Sequence, residues 1–363
     1  MRIEILPVHG IGDVSPGDDL VEIIAQAAPW LRDGDVLVVT SKIVSKAEGR
    51  LVDVPPAGPE REAAREEILA AETARVVARR GATRIVQTHH GFVMASAGID
   101  ASNVDPSTLV LLPKDPDASA RALRAGLRER YGRNVAVIIS DTTGRPWRNG
   151  LTDVALGAAG IPAIRDHRGE LDPYGNELHL TQMAVIDELA GAGELVKGKC
   201  DRVPVAVIRG YLTSVEAADG EGAAALVRDA ALDLFSLGTA EARAAGLRAA
   251  ATLRDEVAAH PEAVDRDAVA RAVTTVAAVA APGTIFEVVS DEEARSIAAA
   301  MPGRPPAANG MITATITGPH EAARLIRFGA DLHRLRAALA AEGVATALLA
   351  PPPGSDLLAV LAW

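Results

Sequence analysis

From Ala136 to Gly150 the chain reads AVIISDTTGRPWRNG. The apolar Val/Ile run, bounded downstream by Thr, Gly and Pro, predicts a short buried strand that gives way to a loop. The loop opens with Asp141, Thr142 and Thr143, then supplies Arg145 and Arg148 around Pro146 and Trp147. One reading is local: an Asx-type turn in which Asp141 satisfies nearby amides and the arginines are solvated. A second strand end, AGIDASNV from Ala97 to Val104, sets Asp100, Ser102 and Asn103 in an equivalent position. Two carboxylates at converging strand ends can hold a hard divalent cation together with water and phosphate oxygens, and Thr142 can add another oxygen. TSKIVSK contributes Ser41, Lys42 and Lys46, residue types suited to anionic phosphates. Strand ends are where α/β proteins place such groups. Solvated-turn chemistry explains each stretch alone, and explains less as acids, hydroxyls and cations recur together.

Two other motifs fail on context. GELVKGKC, from Gly193 to Cys200, has the glycine and lysine spacing of a P-loop, with Cys200 where Ser or Thr would hold magnesium. A P-loop needs a strand before it and a helix after it, whereas here a helical pattern precedes and the strand-like VPVAVIRG follows. HGIGDVSPG begins like a dinucleotide fingerprint, but Ser15 takes the place of the third glycine and no acid closes the next strand. Its glycines still allow backbone amides to approach some other nucleotide.

The elements that must position these groups alternate between strand and helix. RIEILPV reads as a strand, DDLVEIIAQAAPWL as an amphipathic helix, and DVLVVTSKIVS as a buried strand entering a turn. Residues Glu60 to Arg80 have helical composition, with acid–base pairs at helical spacing. Strand patterns recur at GFVMASAGI, STLVLLP, VAVIIS and VPVAVIRG, which predicts an α/β or α+β fold. DLFSLGTAEARAAG, ending at Gly246, reads as a helical end leading into a second region of Ala-rich helices and short strands. PGRPPAANG, from Pro302 to Gly310, reads as a loop or linker.

Composition bounds the function. The 363 residues suffice for two domains, and 48% hydrophobic content supports a sizeable core. A formal net charge of −11 argues against a nucleic-acid surface while permitting a local basic pocket. The single cysteine, Cys200, excludes an intrachain disulfide framework and a Cys-rich zinc site. No apolar leader follows Met1, and the most apolar region, about residues 272–281, is too short for a bilayer. A cytoplasmic location without membrane attachment is therefore expected.

HGIGDVSPGDDL, DGDVLVVTSKIVSKAEGRLV, AGIDASNV, ISDTTGRPWRNG, DPYGNEL and VPVAVIRG occur in an order that resembles the coenzyme F420 γ-glutamyl ligase family over roughly residues 1–240. Within it the ligase domain of the two-domain actinobacterial enzymes is most similar, sharing the DLFSLGTAEA junction. The resemblance implies a GTP-dependent amide synthetase with its own α/β fold, working as an intertwined homodimer. GTP would activate a carboxylate of coenzyme F420-0 as an acyl phosphate, the amine of L-glutamate would displace phosphate, and further glutamates would follow through γ-linkages. Position by position, Asp100, Asp141 and Thr142 match ligands of a divalent metal, Mn2+ or Mg2+. Ile11, Gly12, Asp13, Val14, Ser41, Lys42, Lys46 and Asn103 match GTP-binding positions. Arg148, with Arg145, suits the phosphodiester or carboxylates of F420-0, since a guanidinium fork matches such groups. Asp100, Asp141 and Arg148 are thus the expected catalytic set. His89 and His90 read as loop histidines.

The chain departs from that pattern in two places. Lys199 stands where some relatives carry an acid, which leaves the number of metals open, as it leaves the part played by K+. After a ligase domain at residues 1–246, residues 247–363 are too few for the nitroreductase-like FMN domain of the two-domain enzymes. RFGADLHRLRAALAAEGVATALL resembles one of its long helices, but TLRDEVAAHPEAV replaces the Arg-rich segment that would hold FMN phosphate. A shortened remnant without FMN is expected. The alternatives are a ligase of the same family acting on another carboxylate, a flavin-dependent oxidoreductase built on the C-terminal region, and a non-catalytic binding subunit.

Overall fold

The computed structural model describes residues 2–102, 104–198, 201–212, 218–255, 265–302 and 308–363. Asn103, Lys199, Cys200 and parts of the TLRDEVAAHPEAV and PGRPPAANG segments lie outside the described residues. The chain forms two compact units, Met1–Thr239 and Ala240–Trp363. The division falls at the start of a helix, seven residues before the Gly246 boundary read from sequence.

The first unit is built on β1 (Glu4–Pro7), α1 (Leu20–Ala27), β2 (Val36–Thr40), α2 (Ser41–Ala47), β3 (Leu51–Asp53), α3 (Pro59–Ala71), β4 (Thr73–Arg80), β5 (Thr83–Thr88), β6 (Val93–Ala95), β7 (Thr108–Val110), α4 (Pro116–Tyr131), β8 (Ala136–Arg145), β9 (Arg148–Ala159), β10 (Arg165–Asp166), β11 (Gln182–Met183), α5 (Val185–Lys197) and β12 (Val205–Arg209). Its central sheet has the order β1-β12-β2-β8-β9. Only β2 and β8 pair in parallel; the other neighbours are antiparallel. The mixed α/β class expected from sequence is the observed one.

The continuous apolar runs in β2, β8 and β12 are explained by burial on both faces. Because side chains alternate along a strand, each run divides between two cores. Leu37, Val39, Val137, Ile139, Val205 and Val207 face α1, α2 and α4, meeting Ile24, Ile43, Leu123 and Leu127. Val36, Val38, Ala136, Ile138, Ala206 and Ile208 face α5 through Ile186, Leu189 and Ala190. Each buried Val, Leu or Ile among them contributes about 1.5–3 kcal/mol on burial.

Local signals set the helix ends. Asp19 caps α1 by accepting the Glu22 amide at 3.1 Å, and Asp115 caps α4 by accepting the Ala118 amide at 2.9 Å. Asp117, in the first turn of α4, accepts the amides of Ala158 at 2.8 Å and Ala223 at 2.7 Å, joining that helix to β9. α4 approaches β9 so closely that a Cβ at Gly157 would overlap the Pro116 carbonyl group.

Two sequence expectations are corrected here. The helix anticipated over Glu60 to Arg80 stops at Ala71, and Thr73–Arg80 is strand β4, paired antiparallel with β5. Its β-branched Thr73, Val76 and Val77 favour the pleated strand, and tertiary pairing overrides the charged helical composition. The turn expected after VVT is instead α2.

The second unit begins with α6 (Thr239–Ala251), where a helix end was expected and a helix start is found. It continues with α7 (Arg266–Ala277), β13 (Thr284–Val288), α8 (Asp291–Ala300), β14 (Met311–Ile316), α9 (Ala322–Ala341), β15 (Ala347–Leu349) and β16 (Ala359–Ala362). An antiparallel sheet of order β13-β14-β16-β15 packs against α7 and α9 through Val269, Phe286, Ile312, Phe328, Leu335 and Trp363. Among the described residues no helix is long and apolar enough to cross a membrane.

Candidate active site

Strand direction assembles the site. β12 is antiparallel to both β1 and β2, so β1 and β2 run the same way, and β8 runs parallel to β2. The carboxyl ends of β1, β2 and β8 therefore lie along one edge of the sheet. From that edge leave the loop 8–15, helix α2, and the outer half of the β8–β9 hairpin. These three segments hold most of the residues singled out in the sequence, and Thr40 lies directly beside Ser140. The carboxyl edge of an α/β sheet is the usual ligand face.

In the first segment, Ile11 and Val14 are buried in the core, while Gly12 and Asp13 are exposed. The buried pair pins the loop, and Gly10 takes a positive φ of 86° that favours glycine. His9, Gly10, Gly12 and Asp13 line an open hollow of about 540 Å3 against Ile23, Gln26 and Ala27 of α1. In the second segment Ser41 is buried, whereas Lys42 and Lys46 are partly exposed and, four residues apart, share one side of α2.

Lys42 meets the AGIDASNV stretch. Its Nζ lies 2.6 Å from Asp100 Oδ2 and donates to the Ser102 hydroxyl at 2.7 Å and the Ser102 carbonyl at 3.1 Å. The Ser102 amide donates to Asp100 Oδ1 at 2.7 Å. Burial pushes the Asp100 carboxyl up, but the hydrogen bonds from Lys42 and Ser102 outweigh it and hold the group below the usual carboxylate range. Asp100 is thus ionised, with an ammonium as its counter-charge.

The third segment differs from expectation. Asp141 does not open a loop: β8 continues to Arg145, and the connection to β9 is only Pro146 and Trp147. Trp147 takes a positive φ of 58° and packs edge-on against Phe235, with ring centroids 4.5 Å apart. Arg145 and Arg148 face each other across this turn, both exposed and, among the described residues, without a side-chain partner. A bulge interrupts the ladder between Ile139 and Ser140, where Leu156 is the extra residue on β9. The Asp187 carboxylate of α5 accepts the Ala155 amide there at 2.8 Å. Bulges of this kind re-aim side chains beside functional sites.

Strand alternation sends Asp141 and Thr142 to opposite faces of β8. Asp141 Oδ1 accepts the Thr142 amide at 2.9 Å. The Thr142 hydroxyl donates instead to Asp153 Oδ1 at 2.8 Å, directly across the ladder. Asp153 Oδ2 accepts from the Ser140 hydroxyl and from Lys197 Nζ, each at 2.8 Å, and Lys197 also donates to Ser140 at 2.8 Å. Lys197 and Asp153 are each 2% exposed. Burial pushes the Asp153 carboxyl up, yet the adjacent Lys197 charge and three hydrogen bonds bring it below the usual range.

Sequence reasoning missed Ser140, Asp153 and Lys197. A signal was present for the lysine: Ile186, Leu189, Ala190, Gly193 and Lys197 repeat at helical spacing on the apolar face of α5. A Cβ at Gly193 would lie 2.9 Å from Val38, so glycine brings α5 close enough to carry Lys197 into the sheet. GELVK is therefore the end of a helix and no phosphate loop. His89 Nε2–H donates to the Ala71 carbonyl at 2.9 Å, and His90, half-buried, stacks on Phe92. Among the described residues the Nε2 atoms of both meet backbone carbonyls, those of Ala71, Pro113 and Lys114. Among the described residues no three His, Cys, Asp or Glu side chains cluster as a ready-made metal cage.

Comparison with known proteins places this geometry in context. The family model described as F420-0:gamma-glutamyl ligase matches residues 10–210. The chain is 42% identical over 252 residues to the coenzyme F420:L-glutamate ligase of Methanothermobacter thermautotrophicus, covering 65% of this chain and 99% of that relative. It is 40% identical over 248 residues to the protein of the same name from Methanopyrus kandleri, covering 65% and 97% respectively. The Haloarcula marismortui ligase is 42% identical over 249 residues, covering 64% and 95%. The family-model match contains α2, the β8–β9 hairpin and the first loop from Gly10 onward.

Proposed function

Because the chain belongs to the F420-0:gamma-glutamyl ligase family, we propose that it joins L-glutamate to coenzyme F420-0 at the expense of GTP. The observation that carries the reading is the common sheet edge: glycine loop, lysine-bearing helix and acid-bearing hairpin all leave from the same edge, at the carboxyl ends of β1, β2 and β8. A carboxylate does not condense with an amine at neutral pH, because its leaving group would be hydroxide or oxide. Phosphorylation removes that obstacle. A carboxylate oxygen of F420-0 attacks the γ-phosphorus of GTP, the bond to the β-phosphate oxygen breaks, and GDP departs. The glutamate amine then attacks the acyl carbon, loses a proton, and expels inorganic phosphate that keeps the original carboxylate oxygen.

Phosphoryl transfer of this kind depends on positioning and charge neutralisation. Lys42 and Lys46 supply point charges for the phosphates. The backbone of the exposed Gly12 and Asp13, with that of Ile11, Val14 and Ser41, can line the nucleotide. The donor set fits a hard divalent cation, Mn2+ or Mg2+, since Asp100 is held ionised and already pairs with a cation. Asp100 and Asp141 would hold it; the Thr142 hydroxyl, turned to the other face of the strand and donating to Asp153, is left out of this donor set. Such an ion, when bound, neutralises phosphate oxygens. Arg145 and Arg148, exposed at the hairpin tip, suit the anionic groups of F420-0. The β10–β11 arm exposes Tyr174 by 93% and Leu180 by 91%, which supports a contact between two copies of the chain.

The test is GDP release from GTP and Mn2+ by the purified chain. Release should require both F420-0 and L-glutamate, and Asp141→Asn should lose most of it while remaining folded. GDP release indifferent to F420-0 would remove this substrate, and near-normal turnover in a folded Asp141→Asn protein would remove the metal role of Asp141.

A further inference from the structure

Asp141 stands between two residues whose hydroxyls are held by one carboxylate. Ser140 and Thr142 flank it, and both donate to Asp153 on the face of β8 opposite to Asp141. Asp153 is in turn held by Lys197, at the last turn of α5. Glu194, 3.4 Å from Lys197, is the other acid beside this ammonium. The group is therefore a buried two-point clamp on the backbone to either side of Asp141. It sits directly beyond the bulge, where the ladder itself constrains β8 least.

We propose that Asp153, anchored by Lys197, is a positioning residue that fixes the direction of the Asp141 carboxylate. With the hydroxyls of residues 140 and 142 tied to one face, the side chain between them has only the other face available, toward the end of β2 from which Lys42 departs. The clamp needs a carboxylate, since both hydroxyls donate and one acceptor group must serve them together. It also needs a cation beneath that carboxylate, because an isolated buried charge would not be retained. The sequence motif containing Lys197 thus finds a use unrelated to phosphate. The inference rests on the reading of Asp141 as a cation ligand. Outer partners that orient ligands in this way typically change metal affinity about 10–100-fold when removed.

The experiment measures Mn2+ binding by electron paramagnetic resonance titration of the full chain, with no nucleotide or substrate, beside its unfolding midpoint. Lys197→Met/Asp153→Leu removes the clamp while replacing a buried ion pair by apolar groups, an exchange that proteins often tolerate. It should weaken Mn2+ binding about 10–100-fold with little change in midpoint. Ser140→Ala, which takes away one hydroxyl and leaves the ion pair, should weaken it by a smaller factor; this variant serves if the double replacement does not fold. In an Asp141→Asn background both changes should leave the remaining affinity unaltered, which a merely structural role would not produce. Unchanged Mn2+ affinity in the folded variants, or an equal loss with Asp141 already replaced, would overturn the positioning role alone. Wild-type protein that binds no Mn2+ would overturn the cation reading of Asp141, and this inference with it.

Discussion

Replacing Lys197 by Met should make the first unit less stable, and by an amount that depends on pH. The change leaves Asp153, 2% exposed, without its counter-charge. Removing one partner of a buried ion pair costs about 3–5 kcal/mol. Asp153 keeps donors from Ser140 and Thr142, which places the expected loss near the lower end, about 3 kcal/mol. For a unit of this size that corresponds to a fall in midpoint of about 6–12 °C. In the wild type the Asp153 carboxyl sits below its usual range, so its contribution to stability is complete above about pH 5 and is lost as pH falls through the depressed value. In Lys197→Met the attraction is gone and burial pushes the same carboxyl up, so that protein gains stability as pH falls through the raised value. The gap between the two should be widest near neutrality and should close toward acid. Urea unfolding at several pH values, read by hydrogen exchange of peptides covering β8 and β9, reports this region directly. Adding Asp153→Leu to Lys197→Met should recover most of the loss. A gap that stays constant with pH, or a loss well under about 1 kcal/mol at neutrality, would refute the ion-pair reasoning.

Lys46→Ala should raise the KM for GTP more than that for L-glutamate; an effect confined to glutamate would move this lysine to the acceptor side. Gly157→Ala should destabilise the first unit by about 1–3 kcal/mol, because the obstacle to the added methyl is the Pro116 backbone and no flexible side chain can yield. Urea midpoints check this, and a neutral substitution would show that α4 sits farther from β9. A chain ending at Gly246 should keep ligase turnover, since every residue assigned above precedes that point, and the full chain should show no stoichiometric flavin absorbance. An inactive but soluble truncation, or a yellow full-length protein, would give the C-terminal unit a functional part.

How much of this was legible in the sequence depended on where the information resides. The apolar runs of β2, β8 and β12 announced buried strands because both their faces are covered, and Asp19 marked the start of α1 through local capping. Thr73–Arg80 was misread because charged residues at helical spacing say nothing of the partner strand β5, and pairing decided the outcome. The loop after Ser140 was misplaced for a related reason. Asp, Thr and Gly favour turns locally, yet here they continue a ladder with β9 past a bulge that no local pattern encodes. Asp100 and Lys42 were both recognisable, but their pairing across 58 residues was not. Asp153 and Lys197 were overlooked because a buried ion pair has no motif. Its two halves lie on a strand and a helix whose approach depends on Gly193.

The central claim is that GTP activates a carboxylate of F420-0 by phosphorylating it. It is tested most directly with F420-0 carrying 18O in that carboxylate, incubated with the full chain, GTP, Mn2+ and L-glutamate. The account predicts that one 18O atom appears in inorganic phosphate for each F420-0 that gains its first glutamate, because the oxygen that attacked phosphorus leaves with it. Amide formation that releases only unlabelled phosphate, or GTP cleavage without amide formation, would contradict it.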